Sequence, residues 1–153
     1  MGNERAVPLE IAVRPYDVAD EAAVAAVWGD GWKSTDVSAD GIDPAKLRGE
    51  LRQHVTAGWS LYVAVADGRV VGYLAICGDI LERLFVSPAM QSQGIGKRLL
   101  DFVKAQLPRG FWLTTAVESR APKFYEREGL VRGATAPDIR WGHLQVRYDW
   151  RPL

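Results

Sequence analysis

The chain has 153 residues, of which 48% are hydrophobic and 25% charged, a balance typical of a folded domain of ordinary size. Nineteen basic residues equal nineteen acidic ones, so the net charge gives no reason to expect binding to nucleic acid or to a membrane. The single cysteine excludes an internal disulfide and suits a reducing cytoplasm. We therefore expect one cytoplasmic domain over residues 1–153, with residues 1–8 loosely held.

The N-terminal part is predicted to contain one strand and two helices. Residues 9–14 form the strand, and the first helix follows, with apolar positions three and four apart. Residues 29–41 are rich in Gly, Ser, Thr and Asp, which predicts a loop that carries Trp32. The second helix is predicted within residues 43–58, between an Asp-Pro start and a Gly stop.

The remaining residues predict strands and helices in alternation. Asp67-Gly68 separates two strand-like runs, 61–66 and 69–77, and favours a tight hairpin turn of type I′. Later strands are predicted over residues 80–86, 111–117, 130–134 and 143–150, with a helix after each of the first two. The hairpin requires antiparallel pairing, whereas strand–helix–strand connections require parallel pairing. The fold class is therefore α/β, with a twisted mixed sheet and helices on both faces.

The most informative segment joins the strand predicted at 80–86 to the next helix. Unpaired backbone N–H groups at such a helix start point to one place and favour a phosphate group. A P-loop would need Gly at position 91 and Ser or Thr at position 98, where the chain has Gln91 and Arg98. A dinucleotide fingerprint would need Gly where Leu99 stands. Both kinds of phosphate loop are excluded.

The pattern Gln91-x-x-Gly94-x-Gly96 after an apolar strand resembles the acetyl-CoA loop of the GNAT family of N-acetyltransferases. Residues 118–130 resemble a second family pattern, N-x-x-A-x-x-F-Y-E-x-x-G-F, and match it at Ala121, Phe124, Tyr125, Glu126 and Gly129. Glu118 departs from the pattern, because it stands at the position of the Asn. The resemblance covers almost the whole chain and implies the GNAT fold, in which the sheet opens between its fourth and fifth strands.

This resemblance also implies a binding mode for acetyl-CoA, as co-substrate, in that opening and without a metal. Its diphosphate is expected on the backbone of Gln91, Ser92, Gln93, Gly94, Ile95, Gly96 and Lys97. Main-chain groups of Phe85 and Val86 are expected to hold the acetyl carbonyl and to stabilise the negative charge that develops on its oxygen. Two isolated histidines and one cysteine offer no spacing typical of a metal site.

The resemblance and the chemistry of the side chains together indicate candidate catalytic and acceptor-binding residues. Tyr125 is the candidate general acid, since a phenol stays protonated at neutral pH and can donate to a departing thiolate. Glu82 is the candidate base, because a carboxylate among apolar neighbours can have a raised pKa. Trp32, Tyr73 and His143 are the candidate side chains of the acceptor pocket.

Together these residues predict transfer of an acetyl group to the primary amine of a small molecule. Direct attack in a ternary complex is the simpler mechanism, because no cysteine is placed to carry the acetyl group. A peptide or protein amine is the alternative acceptor. There are two alternatives from other functional classes. One is a non-catalytic acyl-CoA-binding module, which is considered because Glu118 replaces the Asn of the family pattern. The other is a general nucleotide-binding domain. A second copy of the chain is a further candidate partner.

Overall fold

The structure, a computed structural model, describes residues 10–33, 44–139 and 142–152, without the side chains of residues 31–33 and 44. Within these ranges there are seven strands and four α-helices. In chain order they are β1 (Ile11–Pro15), α1 (Glu21–Lys33), α2 (Pro44–Thr56), β2 (Ser60–Ala66), β3 (Arg69–Cys77), β4 (Ile80–Val86), α3 (Ile95–Gln106), β5 (Phe111–Ala116), α4 (Ala121–Arg127), β6 (Val131–Pro137) and β7 (Leu144–Trp150). None of the helices in the described residues is long and apolar enough to cross a membrane.

All seven strands form one sheet in the order β1-β2-β3-β4-β5-β7-β6. Neighbouring strands pair antiparallel, except β4 and β5, which are parallel because α3 carries the chain back across the sheet. The predicted mixed sheet is therefore confirmed, and its parallel pair lies at the centre.

The hairpin of β2 and β3 shows how local sequence sets the register of this sheet. Asp67 and Gly68 both have positive φ angles, 52° and 73°, as a type I′ turn requires. The turn places Ala66 opposite Arg69, and a β-bulge between Ala64 and Val65 then shifts the pairing by one residue, so that Leu61 lies opposite Ala75. Since side chains alternate along a strand, this register fixes which residues of β3 face each side of the sheet.

Each face of the sheet has its own apolar core. On one face, α1 and α2 pack against β2 and β3 through Val24, Trp28, Leu47, Leu51, Val63 and Tyr73. On the other face, α3 and α4 pack through Leu74, Leu81, Ile95, Leu99, Val103, Tyr125 and Tyr148. The first face is called the α1/α2 face below, and the second the α3/α4 face. Helices on both faces were predicted from the sequence, and the structure confirms them.

One predicted loop is wrong over its first residues. The helix α1 continues to Lys33, so Trp32 lies in its last turn and not in a loop. Gly29 favours a helix end by its conformational freedom. However, a Cβ atom there would lie 3.3 Å from Leu47 Cδ1, so the glycine lets α1 approach α2 closely. This helix–helix packing outweighs the local signal. Residues 34–41 of the predicted loop and the loosely held residues 1–8 lie outside the described residues.

Candidate functional site

The parallel strands β4 and β5 are paired only at their first residues. Ile80 lies opposite Trp112, and the Trp112 N–H donates to the carbonyl oxygen of Asp79 at 3.0 Å. Beyond this pair, β4 stays bonded to β3 up to Val86, while β5 stays bonded to β7 up to Ala116. The two strands therefore part, and the opening implied by the resemblance is present between them.

Next to the wide end of this opening lies a run of backbone N–H groups without acceptors. Gln91 N–H reaches the carbonyl of Pro88, and Arg98 N–H reaches that of Gly94. Between these two, none of residues 92–97 donates its backbone N–H to a carbonyl or side chain of the described residues. Exposed N–H groups at a helix start, together with the positive end of the helix dipole, form a site for a phosphate group.

The backbone of this loop holds an uncommon conformation. Ser92 has a φ angle of 66° and Gly94 one of 81°, both in the left-handed region. For Ser92 that conformation costs about 1–3 kcal/mol, and such strain is typical of functional loops. Alternation of left-handed and ordinary residues turns successive N–H groups toward one side, which is how anion-binding backbone cradles form.

The side chain of Lys97, at the start of α3, is engaged by two carboxylates. Its ammonium group lies 3.4 Å from Asp101 and 3.6 Å from Glu128. Two carboxylates therefore offset the positive charge of Lys97. The loop at residues 92–97 then attracts an anion mainly through its backbone N–H groups.

At the end of β4, the main-chain N–H and C=O groups of Phe85 and Val86 point in opposite directions. Ser87 N–H donates to the carbonyl of Val71 at 2.8 Å, so Ser87 points its hydrogen-bonding groups toward β3. Because these groups alternate along a strand, Phe85 also points toward β3, where Tyr73 lies opposite it. Val86 then points toward the opening. Of the two predicted donors, the geometry favours Val86.

Glu82 is the extra residue of a β-bulge in β4. Leu81 lies opposite Ile76 and Arg83 opposite Ala75, so Glu82 has no residue opposite it. Leu81 belongs to the core of the α3/α4 face, whereas Arg83 contacts Trp28 of the α1/α2 face, so Glu82 lies where β4 changes face. Its side chain is exposed, yet partial burial raises the pKa of its carboxyl group, against the opposing effect of the Arg83 charge.

Sequence reasoning missed the importance of Arg83. Its guanidinium carbon lies 3.7 Å from the centre of the Trp28 ring, and its Nη2 lies 3.3 Å from His54 Nε2. Its Nη1 and the hydroxyl oxygen of Tyr73 are both buried. Burial raises the pKa of Tyr73 to about 12, although the charge of Arg83 and a hydrogen bond with its side chain oppose the shift. The available signal was an arginine next to Glu82 in a strand whose other residues are apolar.

Tyr125 lies on α4 and belongs to the core of the α3/α4 face. Its ring is 5.1 Å from that of Phe124 and 5.9 Å from that of Tyr148. Burial raises the pKa of its hydroxyl group, which stays protonated at neutral pH, and no described residue forms a hydrogen bond with it. The phenol is therefore available as a donor.

Two of the other predicted residues lie next to strand ends near the wide end of the opening, whereas Trp32 lies in α1. His143 is exposed and directly precedes β7, whose first residue, Leu144, accepts from the N–H of Val117 after β5. Glu118 is exposed in the turn between β5 and α4. Trp32 follows Trp28 by one helical turn, and its side chain is not described. No group of three or more His, Cys, Asp or Glu side chains within the described ranges could hold a metal ion.

Comparison with known proteins identifies the family to which this chain belongs. A family model described as an acetyltransferase (GNAT) domain matches residues 57–131. Peptidyl-lysine N-acetyltransferase YjaB of Salmonella typhimurium is 32% identical over 121 residues, which are 74% of this chain and 79% of that protein. The chain belongs to the GNAT family of N-acetyltransferases.

Solved structures of GNAT proteins share the whole fold. YjaB from Escherichia coli, in its apo form, has a TM-score of 0.71 and 20% identity, covering 92% of this chain and 97% of its own. The protein yncA from Salmonella typhimurium, solved with its cofactor acetyl-CoA, has a TM-score of 0.72 and 19% identity, covering 93% and 94%. As a GNAT enzyme, this protein uses acetyl-CoA as the co-substrate of an N-acetyltransferase reaction.

The residues present fit that co-substrate. The free N–H groups of residues 92–97 suit a diphosphate, and the parted strands β4 and β5 leave unpaired main-chain groups for an extended arm with amide bonds. The predicted family, fold and co-substrate are thereby confirmed.

Proposed function

We propose that this enzyme acetylates the primary amine of a small molecule by direct attack in a ternary complex. The observation that carries the proposal is the opening between β4 and β5, which leaves main-chain groups free beside the candidate residues. Glu82 lies on β4, the strand that borders the opening, and Tyr125 lies on α4, which follows β5. A candidate base and a candidate acid on different elements beside one opening suit a reaction in which the amine and the thiol occupy separate positions.

Each side chain then has a definite task. The thioester supplies the activated acyl group. Val86 N–H donates to the acyl oxygen and stabilises the negative charge that develops there. Glu82 accepts a proton from the amine, directly or through one water molecule. Tyr125 donates a hydrogen bond to the departing sulfur and supplies its proton as charge develops.

The position of the single cysteine supports direct attack. Cys77 ends β3 opposite Ile80, where β4 and β5 are still paired. It therefore lies at the closed end of the opening, far along the strand from Val86. A covalent acetyl-cysteine would need a thiol at the wide end.

A peptide lysine is the second candidate acceptor, because the relative YjaB is named a peptidyl-lysine N-acetyltransferase. The equal numbers of basic and acidic residues favour the small molecule, because the net charge indicates no docking surface for a charged peptide. The predicted acceptor residue Tyr73 belongs with Trp28 to the buried core of the α1/α2 face.

Release of free CoA over a panel of small amines and lysine peptides tests this proposal. We expect acetyl-CoA-dependent release with at least one class of small primary amine, at a higher kcat/KM than with any lysine peptide. Turnover confined to peptides would contradict the small-molecule acceptor. Binding of acetyl-CoA without turnover on any amine would contradict the proposed reaction.

The pH dependence of turnover tests Glu82. A base works only when deprotonated, and burial raises the pKa of Glu82, so kcat should fall as the pH is lowered through that raised pKa. Glu82→Gln should lower kcat by about 100-fold and remove this acidic limb of the profile. Glu10→Gln changes an exposed glutamate before β1 and is the control. An unchanged acidic limb in Glu82→Gln would exclude the base role.

A further inference from the structure

The guanidinium group of Arg83 is held by side chains from α1, α2 and the neighbouring part of the sheet. Its carbon lies 3.7 Å from the centre of the Trp28 ring on α1 and 5.3 Å from that of Trp59, just before β2. Its Nη2 lies 3.3 Å from Nε2 of His54, in the last turn of α2. The buried hydroxyl group of Tyr73 on β3 hydrogen-bonds with the same side chain. The guanidinium group is therefore fixed in place from several sides.

These contacts fix a positive charge without neutralising it. None of the ion pairs among the described residues includes Arg83, and aromatic rings and a phenol supply most of its contacts. A guanidinium group stacked on aromatic faces stays fully charged. Its charge acts on the adjacent carboxyl group of Glu82, because it opposes the rise in the pKa of Glu82 that burial causes. Arg83 is thus the fixed counter-charge of the candidate base.

The β-bulge in β4 gives Arg83 a second effect on Glu82, through the backbone. Glu82 is the extra residue of the bulge and has no residue opposite it on β3. Arg83 is the next residue and is paired again, opposite Ala75. Contacts that hold the Arg83 side chain against α1 and α2 therefore also hold the end of the bulge, and with it the backbone of Glu82.

Resting on the proposed function, we propose that Arg83 is a positioning residue for the acetyl transfer, which holds Glu82 at the bulge and keeps a positive charge beside its carboxylate. Tyr73 then supports Arg83 from the core and does not contact the acceptor. A base next to a fixed positive charge stays deprotonated, and so able to accept a proton, to lower pH than burial alone would allow. Because Arg83 acts through Glu82, its loss should change kcat and not the acceptor's KM.

Substitutions of Arg83 test this role. Arg83→Met should lower kcat by about 10-fold, a part of what a general base contributes, with the acceptor's KM within about two-fold. The acidic limb of the kcat profile should move to higher pH, because the carboxyl group of Glu82 loses the charge that lowers its pKa. Arg83→Lys keeps the charge, so its limb should stay near that of the parent. Arg52→Met removes a cation that pairs with Glu21 of α1 and is the control.

Two results would overturn the proposal. One is a kcat and an acidic limb in Arg83→Met that match those of the parent. The other is an acidic limb that moves equally far in Arg83→Lys and in Arg83→Met, because the charge would then have no part in the effect.

Tyr73→Phe tests the same role without removing the charge, and it keeps the ring that lies 5.8 Å from that of Phe85. Loss of the hydroxyl group should lower kcat by about three-fold and leave the acceptor's KM unchanged, because Arg83 is then held less firmly. Tyr62→Phe, whose ring packs against Phe102 of α3, is the control. A raised KM with an unchanged kcat in Tyr73→Phe would place Tyr73 in the acceptor pocket and contradict its supporting role.

A titration without turnover separates this inference from the proposed reaction. The signal of the isotopically labelled carboxyl carbon of Glu82, assigned by its loss in Glu82→Gln, is followed against pH. Its midpoint should lie at higher pH in Arg83→Met than in the parent. The signal reports Glu82 directly, so titration of His54 on α2 is not mistaken for it. An unmoved midpoint would overturn the inference, whereas a moved midpoint with full activity in Glu82→Gln would overturn the proposed base and leave the effect of Arg83 on Glu82 in place.

Discussion

Replacement of Tyr125 by Phe is expected to lower kcat about 100-fold while the affinity for acetyl-CoA stays within about two-fold. Phenylalanine keeps the ring contacts with Phe124 and Tyr148, so the packing of α4 is preserved. Only the hydroxyl group is lost, and it forms no hydrogen bond with a described residue. The measurement is a steady-state assay of CoA release together with titration of the cofactor.

The raised pKa of Tyr125 sets the form of its contribution. Because burial raises the pKa of this phenol above its ordinary value, Tyr125 is a weak acid at neutral pH and acts first as a hydrogen-bond donor. The benefit therefore appears only when negative charge develops on the sulfur, which is why kcat and not binding should change. Tyr62→Phe is the matched control. An unaltered kcat in a folded Tyr125→Phe protein would remove its acid role.

Gly96→Val is expected to weaken CoA binding by about 10- to 100-fold, which corresponds to ~1.4–2.8 kcal/mol. A Cβ atom at this position would lie 3.4 Å from Phe124 Cζ and 3.9 Å from Val86 Cγ2. Those contacts are ordinary, so the fold tolerates the first carbon. The two further methyl groups of valine would fill the space between α3, α4 and the end of β4, next to the free N–H groups. Calorimetric titration with CoA gives the affinity.

Two companion variants separate binding from folding. Gly49→Ala adds a Cβ atom on α2 that meets nothing within 4 Å, so CoA affinity should match that of the parent. Gly94→Val should also weaken binding. However, the φ angle of 81° at Gly94 disfavours any side chain, so that variant must be compared by Tm as well. Full CoA affinity in a folded Gly96→Val protein would contradict the assignment of the loop.

Much of the fold was predictable because short-range signals mark its strands. Asp67-Gly68 sets the hairpin between β2 and β3, and the predicted bounds of β3 and β4 agree with the structure. The loop at residues 91–97 was predictable for a similar reason. The loop would bind a phosphate through its backbone N–H groups, and glycines at a fixed spacing indicate the backbone conformation that such a loop needs.

The acceptor side was less predictable, since it depends on contacts between distant elements. The bulge at Glu82 arises from pairing with β3 and leaves no mark in the local pattern of β4. Arg83 meets Trp28 from α1 and His54 from α2, and no spacing rule connects these three residues. The helical state of Trp32 likewise follows from the packing of α1 on α2 and overrides a local loop signal.

The most direct test of the central claim follows the backbone N–H signals of the isotopically labelled protein during titration with CoA. We expect the largest chemical-shift changes at residues 92–97 and at Val86, because these N–H groups have no acceptor in the free protein or face the opening between β4 and β5. Unchanged signals at residues 92–97, with the largest changes elsewhere on the sheet, would contradict the claim that this loop and this opening hold acetyl-CoA.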